Sequence, residues 1–276
     1  MNRRIAVLSA LTLSLLLSAC NKDKDGSVTG DAQAETSAQV QDDDAPAGEA
    51  PAPQLKYWPL LGPMVAGSYT GSCMRTPGTD TANVTITVGA DGKASANGLA
   101  IDFRDAHNIT LQRMANGKGG HGTSAMFHMN SAQEGAMTLS GIDGTASIER
   151  DDKGFLCTQV AATGKLNTQP LHQVLASLIN GKKQTLSCGD IKNPLVRRDA
   201  DVEIDGSVIK VGDASFDMKL ASTETVNIDD AGRSMTLILV MPDARSVQLA
   251  YDGAGKLGMA SARNTAGSTL TCASKE

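Results

Sequence analysis

The sequence predicts an all-β protein made of two tandem copies of a small antiparallel barrel or sandwich, each preceded by a short helix. Three observations support this: the spacing of four cysteines, segments of alternating apolar and polar residues, and Asp-Gly pairs between those segments. Cys73 and Cys157 are 84 residues apart, and so are Cys188 and Cys272. The second pair follows the first at an offset of 115 residues, since 188 − 73 = 115 and 272 − 157 = 115. A spacing that recurs at a constant offset is typical of an internal duplication.

Other positions match at the same offset or close to it. Ile101-Asp102-Phe103 aligns with Phe216-Asp217-Met218. With small shifts, the apolar positions of the two copies also coincide along their whole length. About a hundred residues is a common size for a domain. The matching therefore predicts two β-domains, residues 55–166 and 167–276.

Strands and hairpin turns follow from local patterns. Residues 84–88 alternate between Val or Ile and Thr, and a strand of this kind followed by Asp-Gly predicts a β-hairpin. Val202-Glu203-Ile204 repeats the pattern in the second copy. The predicted turns are Asp91-Gly92, Asn116-Gly117, Asp143-Gly144, Asp205-Gly206 and Asp252-Gly253.

Two segments predict short helices. Residues 58–65 precede the first copy, and residues 170–179 precede the second. In the latter, a proline starts a run of apolar residues at helical spacing, and Gly181 follows it. Each copy is therefore expected to begin with a helix that packs on its sheet.

The N-terminus has the pattern of an export signal. Arg3-Arg4 precedes an uncharged, Leu-rich stretch at residues 5–19, which is too short for a stable membrane span. The stretch ends in Leu17-Ser18-Ala19-Cys20, which resembles the lipobox of bacterial lipoproteins. That resemblance implies a signal peptide of residues 1–19 and acylation of Cys20, including palmitate. It also implies an anchor in the outer membrane facing the periplasm, because Asn21 stands where inner-membrane lipoproteins often have Asp.

Residues 21–54 differ from the rest of the chain in their charge. Residues 21–54 contain eight acidic residues and two lysines and almost no large apolar side chains, whereas residues 55–276 contain 21 basic and 22 acidic residues. A segment of this composition cannot bury enough apolar surface to fold, so residues 20–54 are predicted to form a lipidated, disordered linker. Without a basic surplus, nucleic acid is excluded as a partner.

In an oxidising compartment the four remaining cysteines are expected to form disulfides. Three pairings are possible. The duplication favours Cys73–Cys157 and Cys188–Cys272, because each would join the first strand of a copy to its last.

The motifs that usually carry catalysis fit this chain poorly. Residues 117–122, Gly-Lys-Gly-Gly-His-Gly, match a dinucleotide fingerprint, but that fingerprint works only between a strand and a helix, and here it predicts a flexible hairpin loop. Residues 201–206 begin like a calcium loop, yet Gly212 stands where a bidentate Glu is needed. Ser207 and Lys210 have a penicillin-binding spacing, but on a strand they would face opposite sides. We therefore predict no enzyme activity, no cofactor and no metal site.

The first copy has five more residues than the second between Asn116 and Met137, which the glycine-rich loop supplies. Lys118, Gly119, Gly120 and His121 are therefore the candidate residues of a partner-binding loop. Neutral variation of loop length explains the insertion equally well.

By architecture alone, disulfide-bonded β-domains on a lipidated linker resemble periplasmic lysozyme inhibitors and toxin-immunity lipoproteins. The resemblance implies a non-catalytic protein that binds and inhibits an enzyme acting in the periplasm, either a peptidoglycan hydrolase or a secreted toxin. One such group has a Ser-Gly-x-x-Tyr loop, and residues 140–144 here lack the tyrosine, so its inhibitory residues are not carried over. The alternatives are a structural or assembly lipoprotein of the outer membrane and, third, a hydrolase with a degenerate site.

Overall fold

A computed structural model describes residues 58–104, 106–115, 120–129, 131, 133–174, 183–229 and 234–275. These residues all belong to one compact unit, Ala50–Glu276. The predictions for the signal peptide, Cys20, the linker, Lys118 and Gly119 lie outside the described residues. We call residues 58–166 the first half and residues 167–275 the second half.

The described residues contain eighteen strands, the α-helix Trp58–Val65, one 3-10 helix and the helical residues 171–174. In the first half the elements are α1 (Trp58–Val65), β1 (Gly67–Thr76), β2 (Thr81–Val88), β3 (Lys93–Ala96), β4 (Leu99–Asp102), β5 (Asn108–Ala115), β6 (His121–His128), β7 (Ala136–Ser140), β8 (Thr145–Arg150) and β9 (Lys153–Ala162). In the second half they are β10 (Lys183–Asp190), β11 (Asn193–Asp205), β12 (Val208–Val211), β13 (Ala214–Asp217), the 3-10 helix (Met218–Leu220), β14 (Thr223–Asp229), β15 (Ser234–Val240), β16 (Ser246–Asp252), β17 (Leu257–Arg263) and β18 (Thr269–Ala273). The all-β prediction is confirmed.

The strands form one open antiparallel sheet. Across the first half the order is β4-β3-β2-β1-β9-β8-β7-β6-β5. It continues through the second half as β14-β15-β16-β17-β18-β10-β11-β12-β13. The expectation of two separate barrels or sandwiches is not confirmed, because β5 pairs with β14 and joins the halves. This pairing covers two strand edges that would otherwise expose unpaired backbone groups.

The strand order is the same from either end of the sheet. The nine strands of each half follow one another in equivalent positions, and the two series meet at the β5–β14 pair. There Leu111 lies opposite Val226, and 226 − 111 = 115, which is the offset of the cysteines. Equivalent positions of the two halves therefore meet at the centre of this junction.

One face of the sheet is buried. Alternate residues of the strands point to it, as in β14, where Val226 and Ile228 are buried, and the buried side chains form one contiguous cluster. Phe103, Phe127 and Phe216 are among the largest fully buried side chains. Burying a side chain of this size contributes about 1.5–3 kcal/mol, so this continuous core is the main stabilising feature.

The helix α1 covers part of the core, as predicted. Pro59 occupies the first turn, where its missing N–H has no intrahelical partner to lose. The Trp58 indole Nε1 donates to the Ala90 carbonyl at 2.8 Å, and its ring lies 5.8 Å from that of Phe127. Residues 171–174 begin the helix predicted for the second half, and Leu171 is fully buried.

Both predicted disulfides form. Cys73–Cys157 joins β1 to β9, and Cys188–Cys272 joins β10 to β18, each at directly paired positions. Each therefore links the first strand of a half to its last.

Most of the predicted turns are present. Gly92, Gly144 and Gly206 have positive φ angles, which glycine adopts without steric cost. At Asp252-Gly253 the left-handed residue is instead Gly255, because the turn is longer and Asp252 accepts the backbone N–H of Lys256. The turn at Asn116-Gly117 lies outside the described residues.

Candidate binding surface at one end of the sheet

The second half has a long hairpin whose tip extends past its neighbours. We call residues 190–200 the β10–β11 tip. Strand β11 has thirteen residues, but β12 pairs with it only from Val202 to Asp205. Before Val202, the only described strand that pairs with β11 is β10, through Asn193 and residues 197–201. Pro194, Leu195 and Val196 have no partner in that pairing, because the register shifts there.

The β10–β11 tip exposes large apolar side chains. Leu195 is 94% exposed, Val196 66% and Ile191 62%. Single exposed apolar residues are ordinary on protein surfaces, whereas a group of them on one short segment indicates an interaction site. Half of the exposed large apolar side chains in the described residues lie on this tip.

The equivalent hairpin of the first half has a polar tip. Pairing fixes the equivalence, because Cys188 lies opposite Arg198 in the second half and Cys73 lies opposite Ala82 in the first. Counting back along the chain from Arg198 and Ala82 places Thr79 at the position of Leu195 and Asp80 at that of Val196, just before β2. We call residues 75–84 the β1–β2 tip.

A cleft of about 440 Å³ lies beside the β10–β11 tip. We call it the arginine cleft, because Arg198, Arg245 and Arg263 line it. Its apolar lining includes Val196 from the tip and the buried ring of Phe216. The cleft therefore combines an apolar floor with guanidinium groups, an arrangement suited to a ligand that has both apolar and anionic parts.

The three arginines differ in what they already bind. Arg245 Nε pairs with Asp243 Oδ2 at 2.7 Å, which lowers the pKa of Asp243, and its guanidinium lies 5.5 Å from the centre of the Phe216 ring. Arg198 and Arg263 form no ion pair with any described residue. Their guanidiniums are therefore available to an anionic ligand.

Carboxylates also line the arginine cleft. Asp190 accepts hydrogen bonds from the Ser268 hydroxyl and the Lys192 backbone N–H, and the first of these is the main reason that its pKa is lowered. Asp213 lies in the lining as well. The cleft is therefore not uniformly basic, and the free positive charge is concentrated at Arg198 and Arg263.

A second cleft, of about 310 Å³, adjoins the same strand. It lies between residues 198–201 of β11 and residues 212–213 of the next turn, where the Gly212 N–H donates to the Asp201 carbonyl at 2.9 Å. Arg198 lines both clefts. The part of β11 that β12 does not cover therefore borders these clefts at Asn193, Val196 and residues 198–201.

The strand ends beside the glycine-rich loop, Ala115 and His121, are at the same end of the sheet. The Ala115 N–H donates to the Ser222 carbonyl, and the Ser222 N–H donates to the Val240 carbonyl, which precedes the turn that contains Arg245. His121 is exposed and starts β6 opposite Ala115. Of the four candidate loop residues, the structure thus describes Gly120 and His121 and places His121 at the end that carries the arginine cleft.

The base of that loop is tightly packed. A Cβ on Gly122 would lie 2.9 Å from the Ile142 Cα, so glycine is required by close packing. The next residue, Thr123, donates its N–H to the side chain of Asn167 at 3.0 Å. Gly122 belongs to strand β6 in a hairpin, not to the strand-to-helix turn of a dinucleotide site.

The other motifs are parts of strands and turns. Residues 201–206 are the end of β11 and its turn, with Val202 and Ile204 buried. Lys210 on β12 pairs with Glu203 at 3.7 Å. Within the described part of the chain, no three His, Cys, Asp or Glu side chains form a group that could hold a metal ion.

The junction of the halves contains a buried ion pair. Glu224 of β14 is 1% exposed and accepts a hydrogen bond of 3.0 Å from Arg113 of β5, the residue paired with it. Its Oε2 atom has no hydrogen-bond partner among the described residues. Burial raises the pKa of Glu224 to about 7, although Arg113 opposes the shift. Burial is also the main reason that the pKa of His172 is lowered, and the charge of Arg113 contributes to that shift.

Neither the β10–β11 tip nor Glu224 was anticipated from the sequence. The tip segment, Pro194-Leu195-Val196-Arg197-Arg198, lacks strand alternation and resembles a turn. Comparison with Pro77-Gly78-Thr79-Asp80 in the other half could have identified it, because only one has apolar residues. Glu224 could have been found from the alternation of the strand, because it lies two residues before Val226 and four before Ile228 and therefore points to the same buried face.

No family model, curated protein or solved structure matches the chain. Among the described residues, no helix has both the length and the apolarity needed to cross a membrane.

Proposed function

We propose that the chain is a lipid-anchored, non-catalytic binding protein of the periplasm that inhibits an enzyme acting there, and that it presents the β10–β11 tip to this enzyme. The observation that carries the proposal is the group of exposed apolar side chains on the tip, with Leu195 94% exposed. Their exposure to water is unfavourable unless a partner covers them.

The hairpin is well suited to insertion into an enzyme's cleft. Its strand β10 is fixed by the Cys188–Cys272 disulfide and by pairing with both β18 and β11. Binding through a segment that is already ordered loses little conformational entropy. Apolar anchors on such a segment can therefore supply most of the binding free energy.

The proposed location rests on the N-terminal residues. The lipobox Leu17-Ser18-Ala19-Cys20 and the outer-membrane position implied by Asn21 support an anchor that faces the periplasm. The two disulfides fit an oxidising compartment. The enzymes that a protein stationed there would meet include peptidoglycan hydrolases and secreted antibacterial toxins.

We also propose that the halves are duplicated copies of one domain. The common strand order, the equivalent disulfides and the Leu111–Val226 pair at the junction support this. On this proposal the copies kept the scaffold and diverged at their tips.

The loop of Lys118, Gly119, Gly120 and His121 is proposed as a second contact. His121 is exposed at the same end of the sheet as the arginine cleft, so one partner could reach both surfaces. The tip would supply the apolar contacts and the loop a smaller polar contribution.

Inhibition of purified enzymes tests the proposal. Residues 21–276, exported so that the disulfides form, are added to a muramidase, a lytic transglycosylase, an amidase and an endopeptidase acting on purified peptidoglycan. We expect one class to be inhibited and Leu195→Asp to weaken that inhibition at least tenfold, whereas Thr79→Asp, the matched change in the first half, leaves it unchanged. If none of the four classes is inhibited, the hydrolase-inhibitor proposal is wrong. Association with outer-membrane assembly complexes without inhibition would then favour the structural role.

Lipidation is tested separately. Cells expressing the full chain are labelled with radioactive palmitate, and the label is expected on the wild type and absent from Cys20→Ala. Label that persists in the variant would contradict the assignment of Cys20.

A further inference from the structure

We propose that the free edge of β11, residues 193–200, binds an extended segment of the target protein as an additional antiparallel β-strand, with a carboxylate of that segment at Arg198. This inference rests on the proposed function, because it specifies how the partner is held. The segment that fits this edge is an extended peptide in which apolar and acidic residues occupy alternate positions on one face.

The backbone of this edge is directed towards solvent. In an antiparallel ladder, the N–H and C=O groups of alternate residues point to the same side of the strand. The Asp201 carbonyl points away from β10, since it accepts a hydrogen bond from Gly212. The N–H and C=O groups of Arg197 and Asp199 therefore also point away from β10, where no described strand pairs with them.

Such an edge is a ready template for another strand. Backbone groups along it give affinity for any extended chain, and the side chains beside it give selectivity. The outermost strands of the sheet, β4 and β13, are less suitable, because each has only four residues. The edge of β11 is longer and carries the exposed apolar residues.

Side-chain direction indicates what the added strand should contain. Val196 and Arg198 line the arginine cleft, on the face of β11 that further along carries the buried Val202 and Ile204. A strand placed beside β11 would set its own inward-facing residues next to these two. An apolar residue would meet Val196 and the apolar floor of the cleft, and a carboxylate would meet Arg198.

Two charged side chains on the outer face of β11 already have partners. Arg197 Nε donates to the Ser187 hydroxyl at 3.0 Å, and Asp199 pairs with Lys275 at 2.7 Å. Arg198, in contrast, has no ion pair within the described residues. A carboxylate on the incoming strand would supply the missing partner, and charge-assisted hydrogen bonds of this kind are the stronger ones.

The equivalent edge of the first half lacks this chemistry. Along β2, residues 81–86 also pair with β1 alone, but Ala82 occupies the position of Arg198. The remaining exposed residues there are Thr81, Asn83 and Thr85. The same backbone geometry is therefore present without the cation or the apolar residues, which makes β2 an internal control.

A synthetic peptide tests strand addition directly. The probe is an acetylated, amidated and fluorescently labelled peptide, Thr-Val-Thr-Glu-Thr-Val-Thr, and its binding to residues 21–276 is followed by fluorescence anisotropy. This chain keeps the whole compact unit that contains the described residues. Two further peptides carry N-methyl groups on alternate residues, one set at odd and the other at even positions. Strand addition predicts that only one of these two loses binding, because only one set of N–H groups faces β11.

Protein variants test the same edge from the other side. Asp199→Pro removes an N–H that faces away from β10, so the β10–β11 ladder is retained while a donor to the added strand is lost. We expect at least a tenfold loss of peptide affinity, with no loss for Asp199→Ala and none for Asn83→Pro in the first half. Arg198→Ala should weaken binding of this peptide about tenfold but leave a peptide with Gln in place of Glu unaffected.

The outcomes separate this inference from the proposed function. Equal binding of the two N-methylated peptides, or full affinity of Asp199→Pro, would overturn strand addition. A concentration-dependent dimer that Asp199→Pro abolishes would assign the edge to a second copy of this chain and also overturn it. If an enzyme is inhibited by wild type and Asp199→Pro alike, the inhibitory function stands and only the mode of binding is wrong.

Discussion

The two hairpin tips are equivalent in position and different in chemistry. Each extends from the first strand of its half, and a disulfide fixes each of those strands at the equivalent position. The β1–β2 tip has Thr79 and Ala82 where the β10–β11 tip has Leu195 and Arg198. The same hairpin forms with either pair of tip residues, so the fold does not require the apolar and basic residues of the β10–β11 tip. This difference is the reason for choosing the β10–β11 tip as the candidate binding site.

The largest expected effect concerns the feature that the halves share. Each disulfide closes a separation of 84 residues, and on the chain-entropy model its loss costs about 4–5 kcal/mol. Cys73→Ser with Cys157→Ser, and Cys188→Ser with Cys272→Ser, should each lower the free energy of unfolding in urea by a similar amount. Only the second pair should also weaken binding at the β10–β11 tip, because Cys188 pairs with Arg198. Equal effects on binding would argue against a role specific to the second half.

The next effect concerns the junction where the halves meet. The pKa of Glu224 is raised from 4.5 to about 7, so between these pH values the folded protein holds a proton that the unfolded chain releases. Stability must therefore fall as pH rises through this range, by about 3 kcal/mol for this one group. Glu224→Gln should remove that loss, so the variant gains on the wild type between pH 5 and 8.

Urea unfolding at pH 5 and pH 8 measures this difference. Glu203→Gln, at a half-exposed position paired with Lys210, is the control and should show no comparable gain. An unchanged difference between pH 5 and 8 would show that Glu224 is ionised throughout and that Arg113 outweighs its burial.

The fold could be predicted from the sequence where periodicity determines it. The alternation of apolar and polar residues at 84–88 and the Asp-Gly turns predicted hairpins. The spacing of the cysteines predicted both disulfides. The β5–β14 pairing could not be predicted, because nothing in the sequence says whether residues 108–115 end a barrel or join a neighbour. Such pairings are settled by the exposure of strand edges in three dimensions.

The candidate site was less predictable for a related reason. The sequence singled out the glycine-rich loop, since glycine and inserted length are visible locally. The importance of Leu195 depends on its being exposed, and an apolar residue beside Pro194 is equally consistent with burial. Likewise, Arg198 gains significance only from the unpaired edge that it borders.

Transfer of the tip residues tests whether they are sufficient for the proposed binding. Thr79→Leu, Asp80→Val and Ala82→Arg, made together, reproduce the β10–β11 tip on the first half. Because all three positions are exposed, the free energy of unfolding should change by no more than about 0.5 kcal/mol per site. We expect the Thr-Val-Thr-Glu-Thr-Val-Thr peptide to bind with a stoichiometry of two instead of one, measured by calorimetric titration. A stoichiometry that stays at one would mean that the arginine cleft, and not the tip alone, is required.

The smallest expected effect concerns the loop predicted from the sequence. Lys118→Ala with His121→Ala should weaken inhibition of the target enzyme about threefold, as expected for a polar contact at the rim of an interface. The peptide should bind this variant as it binds the wild type, because β11 and the arginine cleft are unchanged. The comparison therefore separates two surfaces at one end of the sheet. If the loop variant instead loses inhibition more than Leu195→Asp does, the first half carries the main contact and the apolar tip is secondary.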